Sequence, residues 1–578
     1  MQNSPGPQPV VRLIPQLADY AARQYGASPF LLRPEAGGWK PMSFEEFADA
    51  MHAFAALLVH QGVESGDRVG LQSENRPEWS VAYMGILQAG AVVVPLDAQL
   101  KAGEVGELLA TSGAKLCVVS ARQLAVLEEV RASRLPSLRL VGLDASGDHP
   151  SLGEALTRHR GAPRTEPPAQ AHDLAVLIFT SGTTGQAKGV MLSHSNLLHN
   201  VEAVARTFEF GPGDRLLSVL PLHHTFESTG GLLCPLRMGA SVAYARGLNS
   251  KELREDLRSS GATILLGVPL LYEKLLAAID RGISEAPLPR RLLARTLLTL
   301  SRLVRMTTGA RPGGTLLRRL REASGLGRIR MFVCGAAPLP RQVFWGFIDI
   351  GWPVLEGYGL TECSPVVAAD HPGRPRPGAI GWPIVGVEVR IQEPDADGNG
   401  EIVVRGPNVM LGYFGNAAAT AEVVRDGWFY TGDLGRLEKD GRLKITGRLK
   451  NMIATAAGKK IYPEEIEAHL ANCPLILEVV VTGGRDARGE REEVHAHVFP
   501  NFAALEQLAV ATHRTFDDAF VEGTLRAEVE TRGQQLAPYK RVKRVIVRKQ
   551  EFPKTTTGKI RRQNLAPDAA TARSSAVA

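Results

Sequence analysis

An apolar run, AVLIF, leads straight into TSGTTGQAKG at residues 180–189. Its three glycines free backbone amides to turn toward a ligand. Thr180, Ser181, Thr183 and Thr184 add hydroxyls, and Lys188 adds an ammonium. Such a density of donors after a strand suits the oxygens of a polyphosphate. The spacing departs from GxxxxGK[ST], so a P-loop NTPase is not indicated. Further chemistry-bearing clusters follow in order: CGAAPLP at 334–340, EGYGLTE at 356–362, YTGDLG at 430–435, GRLKNMI at 447–453 and PKTTTGKIRR at 553–562. They hold isolated acids among Gly and Thr, and lysines beside Gly, groups able to bind cations and oxyanions.

The elements that must hold these clusters alternate. From residue 42 to about 280, amphipathic helical stretches separate short apolar runs at 69–71, 91–96, 175–179 and 263–268. That alternation implies an α/β fold, a mostly parallel sheet with helices on both faces. From 380 to 445 the strands shorten between Gly and Asp pairs, as in DADGNG and RDGWFYTGD, which predicts a small antiparallel or barrel-like subdomain. Beyond a boundary near 447, helices at 463–470 and 521–536 and strands at 477–482, 493–498 and 544–548 predict a compact α+β lobe.

With 578 residues, 44% hydrophobic and 22% charged, the chain reads as a soluble globular protein of several lobes. The charge-free stretch at 79–96 is broken by Gly85, Gly90 and Pro95 and reads as a buried helix, a turn and a buried strand, not a membrane span. The first thirty residues lack a secretion signal, and Cys117, Cys234, Cys334, Cys363 and Cys473 lack CxxC spacing. Buried thiols in a reducing, cytoplasmic setting are expected. A net charge of +7 suits polyanionic partners, but neither finger spacing nor an RNP motif points to nucleic acid.

Taken together, the six ordered motifs resemble the adenylate-forming (AMP-binding) superfamily, and most closely the long-chain fatty acyl-CoA synthetases. The resemblance covers about residues 20–563. It implies two parallel-rich sheets with flanking helices and a β-barrel subdomain at 380–446 in a large domain, 1–446. A hinge at 447–451 follows, then a small mobile α+β domain at 452–565 and a disordered tail at 566–578. It also implies ATP, Mg²⁺ and coenzyme A. In this reading Thr180, Ser181, Gly182, Thr183, Thr184, Gly185 and Lys188 hold phosphates. Gly335, Ala336, Ala337, Tyr358 and Gly359 form the adenine platform, with Tyr358 stacking on the base. Asp433 and Arg448 bind ribose, Thr361 contacts the α-phosphate or carboxylate region, and Thr184 and Glu362 hold Mg²⁺. Lys559 bridges carboxylate and α-phosphate, Lys450 is the hinge, and Gly458 belongs to the loop flanking the coenzyme A thiol. His224, in PLHHTFESTGG at 221–231, gates the acyl pocket, and Gly230 and Gly231 leave room for a chain. The sequence departs from the family pattern at Ala187, Asn451 and Ala336.

The implied partners are a medium- to long-chain fatty acid, ATP and coenzyme A. A carrier-protein phosphopantetheine as acceptor and a non-catalytic acyl- or nucleotide-binding relative remain the alternatives. Arginines interleaved with leucines at 284–330 predict basic amphipathic helices, either a solvated face or a peripheral contact with anionic membrane at the inner face; a homodimer is also open.

Overall fold

The computed structural model describes residues 11–145, 148–159, 161, 163–180, 187–371, 373–374, 376–454, 460–485, 492–554, 560 and 562. Two large sheets dominate. One has nine strands, in the order Trp382–Pro383, Val366–Ala369, Val354–Gly359, Met331–Cys334, Ile264–Gly267, Arg215–Ser218, Ser241–Tyr244, Pro29–Glu35 and Gly38–Ser43. Its middle is parallel and its edges are antiparallel. The other has seven strands, Gly412–Tyr413, Lys188–Ser193, Leu174–Thr180, Val92–Leu96, Arg68–Gln72, Leu116–Val119 and Arg139–Gly142. Strands buried on both faces can be apolar throughout, and LCVV and ILLG are fully buried. The stretch at 79–96 resolves into the buried helix Pro77–Gln88, a turn at Gly90 with φ +78°, and the buried strand Val92–Leu96. The five cysteines are buried and free.

A third, wholly antiparallel sheet joins Glu388–Gln392, Gly400–Arg405, Trp428–Leu437, Val424–Arg425 and Leu443–Arg448. It is the half-barrel that the Gly and Asp turns predicted. Its last strand pairs Gly447 with Leu434 and Arg448 with Asp433, then passes into a 3-10 turn at Leu449–Asn451.

Among the described residues the C-terminal lobe has a three-stranded sheet, Ile476–Arg485, Glu492–Pro500 and Arg544–Val547, against helices Pro463–Leu470, Phe502–Ala511 and Asp518–Gly533, and a two-stranded one, Ile453–Ala454 with Lys460–Ile461. The Phe502–Ala511 helix is additional to the sequence expectation. This lobe has its own apolar core, built on Ile466, Leu470, Val481, Val498 and Leu525. It touches the larger domain through Tyr462 Oη, which donates to Asp395 Oδ2 (3.1 Å), and Gln342 Nε2, which donates to the Asn472 carbonyl (3.0 Å). Among the described residues no helix is long and apolar enough to cross a membrane.

Candidate active site

Three sequence motifs meet at a buried carboxylate. Tyr358, near the end of strand Val354–Gly359, donates its hydroxyl to Asp433 Oδ2 (2.8 Å), and Arg448 Nε lies 2.8 Å from Asp433 Oδ1. The facing register of Asp433 and Arg448 on neighbouring strands brings that pair together. Burial, then the adjacent Asp433, holds the Tyr358 phenol well above its ordinary range, so it stays a hydrogen-bond donor. Tyr358 is buried and tied to the ribose-binding candidate, which makes its hydroxyl an orienting group. Gly359 has a steric reason: a Cβ there would come within 2.0 Å of the Pro365 carbonyl oxygen.

The turn that carries Thr361 and Glu362 is a 3-10 helix, Thr361–Cys363, bolted from both sides. Asn200 Nδ2 donates to the Cys363 carbonyl (3.0 Å), and Asn408 Nδ2 donates to the Cys363 (3.2 Å) and Val366 (3.1 Å) carbonyls. Ser364 Oγ returns a bond to the Asn408 carbonyl (2.9 Å). Tyr413 Oη donates to Glu362 Oε1 (3.0 Å), and the same ring lies 4.7 Å from Lys188 Nζ. Tyr413 is therefore the joint between Glu362 and the strand that leaves the hydroxyl-rich loop. Thr180 ends the preceding strand, its hydroxyl donating to the Lys188 carbonyl (3.4 Å). Ser181, Gly182, Thr183, Thr184 and Gly185 lie outside the described residues, as do Gly458 and Lys559. Described residues on either side of Lys559 are anchored: Lys554 pairs with Ile560 in an antiparallel bridge, and Arg562 is ion-paired with Glu464 and Glu467.

No cluster of three or more His, Cys, Asp or Glu able to hold a metal occurs among the described residues. A lone carboxylate such as Glu362, with one oxygen already steadied by a phenol, fits Mg²⁺, which binds through one or two carboxylates and takes the rest of its shell from water and substrate phosphate.

Gly335 is buried where a Cβ would sit 3.0 Å from the Phe226 ring, while Ala336 and Ala337 are exposed. Ala336 adopts φ +73°, the left-handed region that favours glycine, so the alanine at this position is strained. Behind this turn Glu356 accepts from the amides of Leu339 (3.2 Å) and Gly378 (3.2 Å), and burial raises its carboxyl to about 7. Lys450 lies on the surface, held below the ordinary lysine range by desolvation, then by Arg448. Asn451 Nδ2 donates to Glu464 Oε1 (2.5 Å) of the C-terminal lobe.

His224 precedes the short helix Thr225–Glu227, its ring 4.1 Å from that of His223. The π-helix Ser228–Leu233 follows. Phe226, Thr229 and Gly230 wall a narrow apolar cavity of about 60 Å³, with Phe208, Leu266, Met331 and Val333 on its other sides. Thr229 supplies the only side-chain hydroxyl of the lining. Gly230 opens this space, whereas Gly231 does something else: a Cβ there would lie 2.7 Å from the Glu227 carboxyl. Glu227 is fully buried, and desolvation, opposed by a hydrogen bond from Ser218, raises its carboxyl to about 8.

Of the residues named from sequence, Tyr358, Asp433 and Arg448 meet at one point and Glu362 sits on the braced turn. Sequence reading missed Tyr413, Asn200, Asn408, Glu356 and Glu227. A signal existed for Asn200, a polar residue on the buried face of the helix His194–Thr207.

A strand end leading into a hydroxyl-rich segment, a tethered acid and an apolar cavity are parts that an acid-activating ligase needs. Residues 18–414 match the family model "AMP-binding enzyme", and residues 465–559 match "AMP-binding enzyme C-terminal domain". Long-chain-fatty-acid–CoA ligase FadD15 of Mycobacterium bovis is 34% identical over 77% of this chain and 76% of its own. A feruloyl-CoA synthase of Amycolatopsis is 30% identical over 82% and 86%. The ATP-bound structure of MatB from Rhodopseudomonas palustris superposes with a TM-score of 0.74 at 28% identity, covering 94% of this chain and 97% of that one. The chain belongs to the AMP-binding enzyme family. It is an AMP-forming acid–thiol ligase whose co-substrates are ATP, Mg²⁺ and coenzyme A.

Proposed function

We propose that this ligase activates medium- to long-chain fatty acids and draws them from an anionic membrane surface. A carboxylate oxygen attacks the α-phosphorus of ATP, pyrophosphate leaves, and acyl-AMP forms. The coenzyme A thiol then attacks the acyl carbonyl, AMP leaves, and the thiol proton passes to solvent. Asp433 and Arg448 hold the ribose, with Tyr358 orienting Asp433, and Thr361 meets the reacting phosphate. Glu362 and Thr184 would hold Mg²⁺, which would offset phosphate charge. Lys559 bridges carboxylate and α-phosphate as charge develops. Residue 450 hinges the lobes between the two half-reactions, bringing Gly458 toward the thiol.

The observation that carries the substrate reading is the apolar cavity walled by Phe226, Thr229 and Gly230. Its walls are aliphatic and aromatic, and Thr229 Oγ1, its side-chain hydroxyl, already points to the Ser364 carbonyl (3.4 Å). A phenolic or dicarboxylic acid would bury polar groups there without partners, whereas each methylene of an alkyl chain gains about 0.8 kcal/mol. The test is an ATP-dependent thioester assay over acids of graded chain length and ferulate, with coenzyme A and a phosphopantetheine carrier protein in parallel. Rising kcat/KM with chain length on coenzyme A is expected. A preference for ferulate, or for the carrier protein, refutes this reading.

A further inference from the structure

The helix Leu288–Thr308 connects back to the cavity through the fold. It lies in the crossover between strands Ile264–Gly267 and Met331–Cys334, whose Ile264, Leu266, Met331 and Val333 are cavity walls. Its inner face repeats at helical spacing. Ala294 and Leu298 pack on the core, Ser301 Oγ donates to the Asp349 carbonyl (2.7 Å), and Arg305 pairs with Asp349 while stacking on Trp345 at 4.0 Å. With a serine and an arginine turned inward, the apolar residues face out. Leu288, Leu292, Leu293, Leu300, Leu303 and Met306 are 44% to 68% exposed. Single exposed leucines are ordinary, but a stripe of six on one helix marks an interaction surface.

Charge selects the occupant. From 288 to 321 the chain carries nine arginines and neither Asp nor Glu. On the helix, Arg290, Arg295 and Arg302 are exposed beside the apolar stripe. Two copies of such a face would set arginines against arginines with no acid between them, so self-association is disfavoured. A bilayer with anionic headgroups satisfies both features: leucines enter the acyl boundary while arginines extend to phosphates.

The geometry points to the Leu288–Thr308 helix as a docking element that lies in the plane of an anionic lipid surface, its leucine stripe inserted and its arginines at the headgroups. This deepens the proposed function by naming where the enzyme meets its lipid source. Its test does not use catalysis. The full chain is sedimented with phosphatidylcholine vesicles with and without phosphatidylglycerol, alongside a Leu292→Gln/Leu303→Gln/Met306→Gln variant and an Arg290→Gln/Arg302→Gln variant. Both must keep the wild-type thermal transition, because all five side chains are exposed.

Wild type should bind the anionic vesicles and release in high salt. The leucine variant should lose at least about tenfold in partitioning. The arginine variant should lose its preference for phosphatidylglycerol. Partitioning that ignores lipid charge, or that survives the leucine changes, overturns the proposal. So does an oligomer that the leucine variant dissolves while vesicle binding stays unchanged. Failure here leaves the chain-length assay free to succeed, and failure of that assay leaves vesicle binding intact.

Discussion

The proposed nucleotide side and the proposed acyl side of this site are built by opposite rules. On the nucleotide side each group is held by named partners: Asp433 by Tyr358 and Arg448, Glu362 by Tyr413, and the 361–363 turn by Asn200 and Asn408. On the acyl side the wall is whatever apolar side chain the sheet and the π-helix deliver, and shape alone sets what fits. Polar networks fail when one member is removed, because a buried partner is stranded; an apolar wall changes gradually with volume. Substitutions on the nucleotide side should therefore abolish turnover for every acid, and those on the acyl side should redistribute it among acids.

The sharpest way to break this contrast is Lys559→Ala. Loss of one positioned charge at the reacting phosphate should lower adenylation about 10²- to 10³-fold for short and long acids alike. Carboxylate-dependent pyrophosphate exchange measures it. A loss confined to long acids would move Lys559 to the acyl side. Gly230→Leu is the counterpart. A Cβ there already meets Leu266 Cδ1 at 3.2 Å, so a larger side chain fills the cavity. Each excluded methylene is worth about fourfold, so kcat/KM for a long acid should fall on the order of tenfold or more while a short acid and the KM for ATP hold. An equal loss for both acids would show that the residue supports the whole site.

Glu227 tests whether the apolar side tolerates a charge. Its carboxyl is raised from 4.5 to about 8, mainly by burial, so the folded chain retains a proton that the unfolded chain releases. Stability must then fall as pH rises from about 4.5 to about 8 and level off above. Ser218 supplies a hydrogen bond, itself accepting from Asn75 (3.1 Å), and Tyr244 and Tyr272 are the nearby phenols. Glu227→Gln should flatten this slope and raise the Tm relative to wild type increasingly toward pH 8, read by thermal melts across pH. An unchanged slope would mean that the carboxyl is ionised in the folded chain.

The same division explains what could be read from sequence. Tyr358, Glu362, Asp433 and Arg448 could be named as candidates because they sit in short runs of Gly and Thr. Tyr413 lies 51 residues from the carboxylate it steadies, and only the pairing of Gly412–Tyr413 with Lys188–Ser193 brings it there. The cavity wall was illegible, since Phe208, Leu266 and Val333 look like any core residues until strand order sets them together. The strands and the half-barrel were legible from period and turn residues. The basic helix was legible as amphipathic, but its periodicity does not say which face packs. Asp349, far along the chain, draws Ser301 and Arg305 inward and turns the leucines out.

The smallest effect concerns a place where the proposed nucleotide side carries backbone strain. Ala336 holds φ +73° in the turn after strand Met331–Cys334, where a Cβ costs roughly 1–2 kcal/mol against glycine. Glycine would relieve this but would also give the unfolded chain more freedom, which offsets about 0.4–1 kcal/mol. Ala336→Gly should therefore stabilise by about 0.5 kcal/mol or slightly more. The neighbouring turn stays pinned, because Glu356 still accepts from the Leu339 amide. Denaturant melts and the KM for ATP check this together. A gain in stability with an unchanged KM makes the alanine a strained substitute. A loss in both would mean that the exposed methyl makes a contact with the nucleotide that outweighs the strain, and the turn would then belong to the shape-determined half of the site.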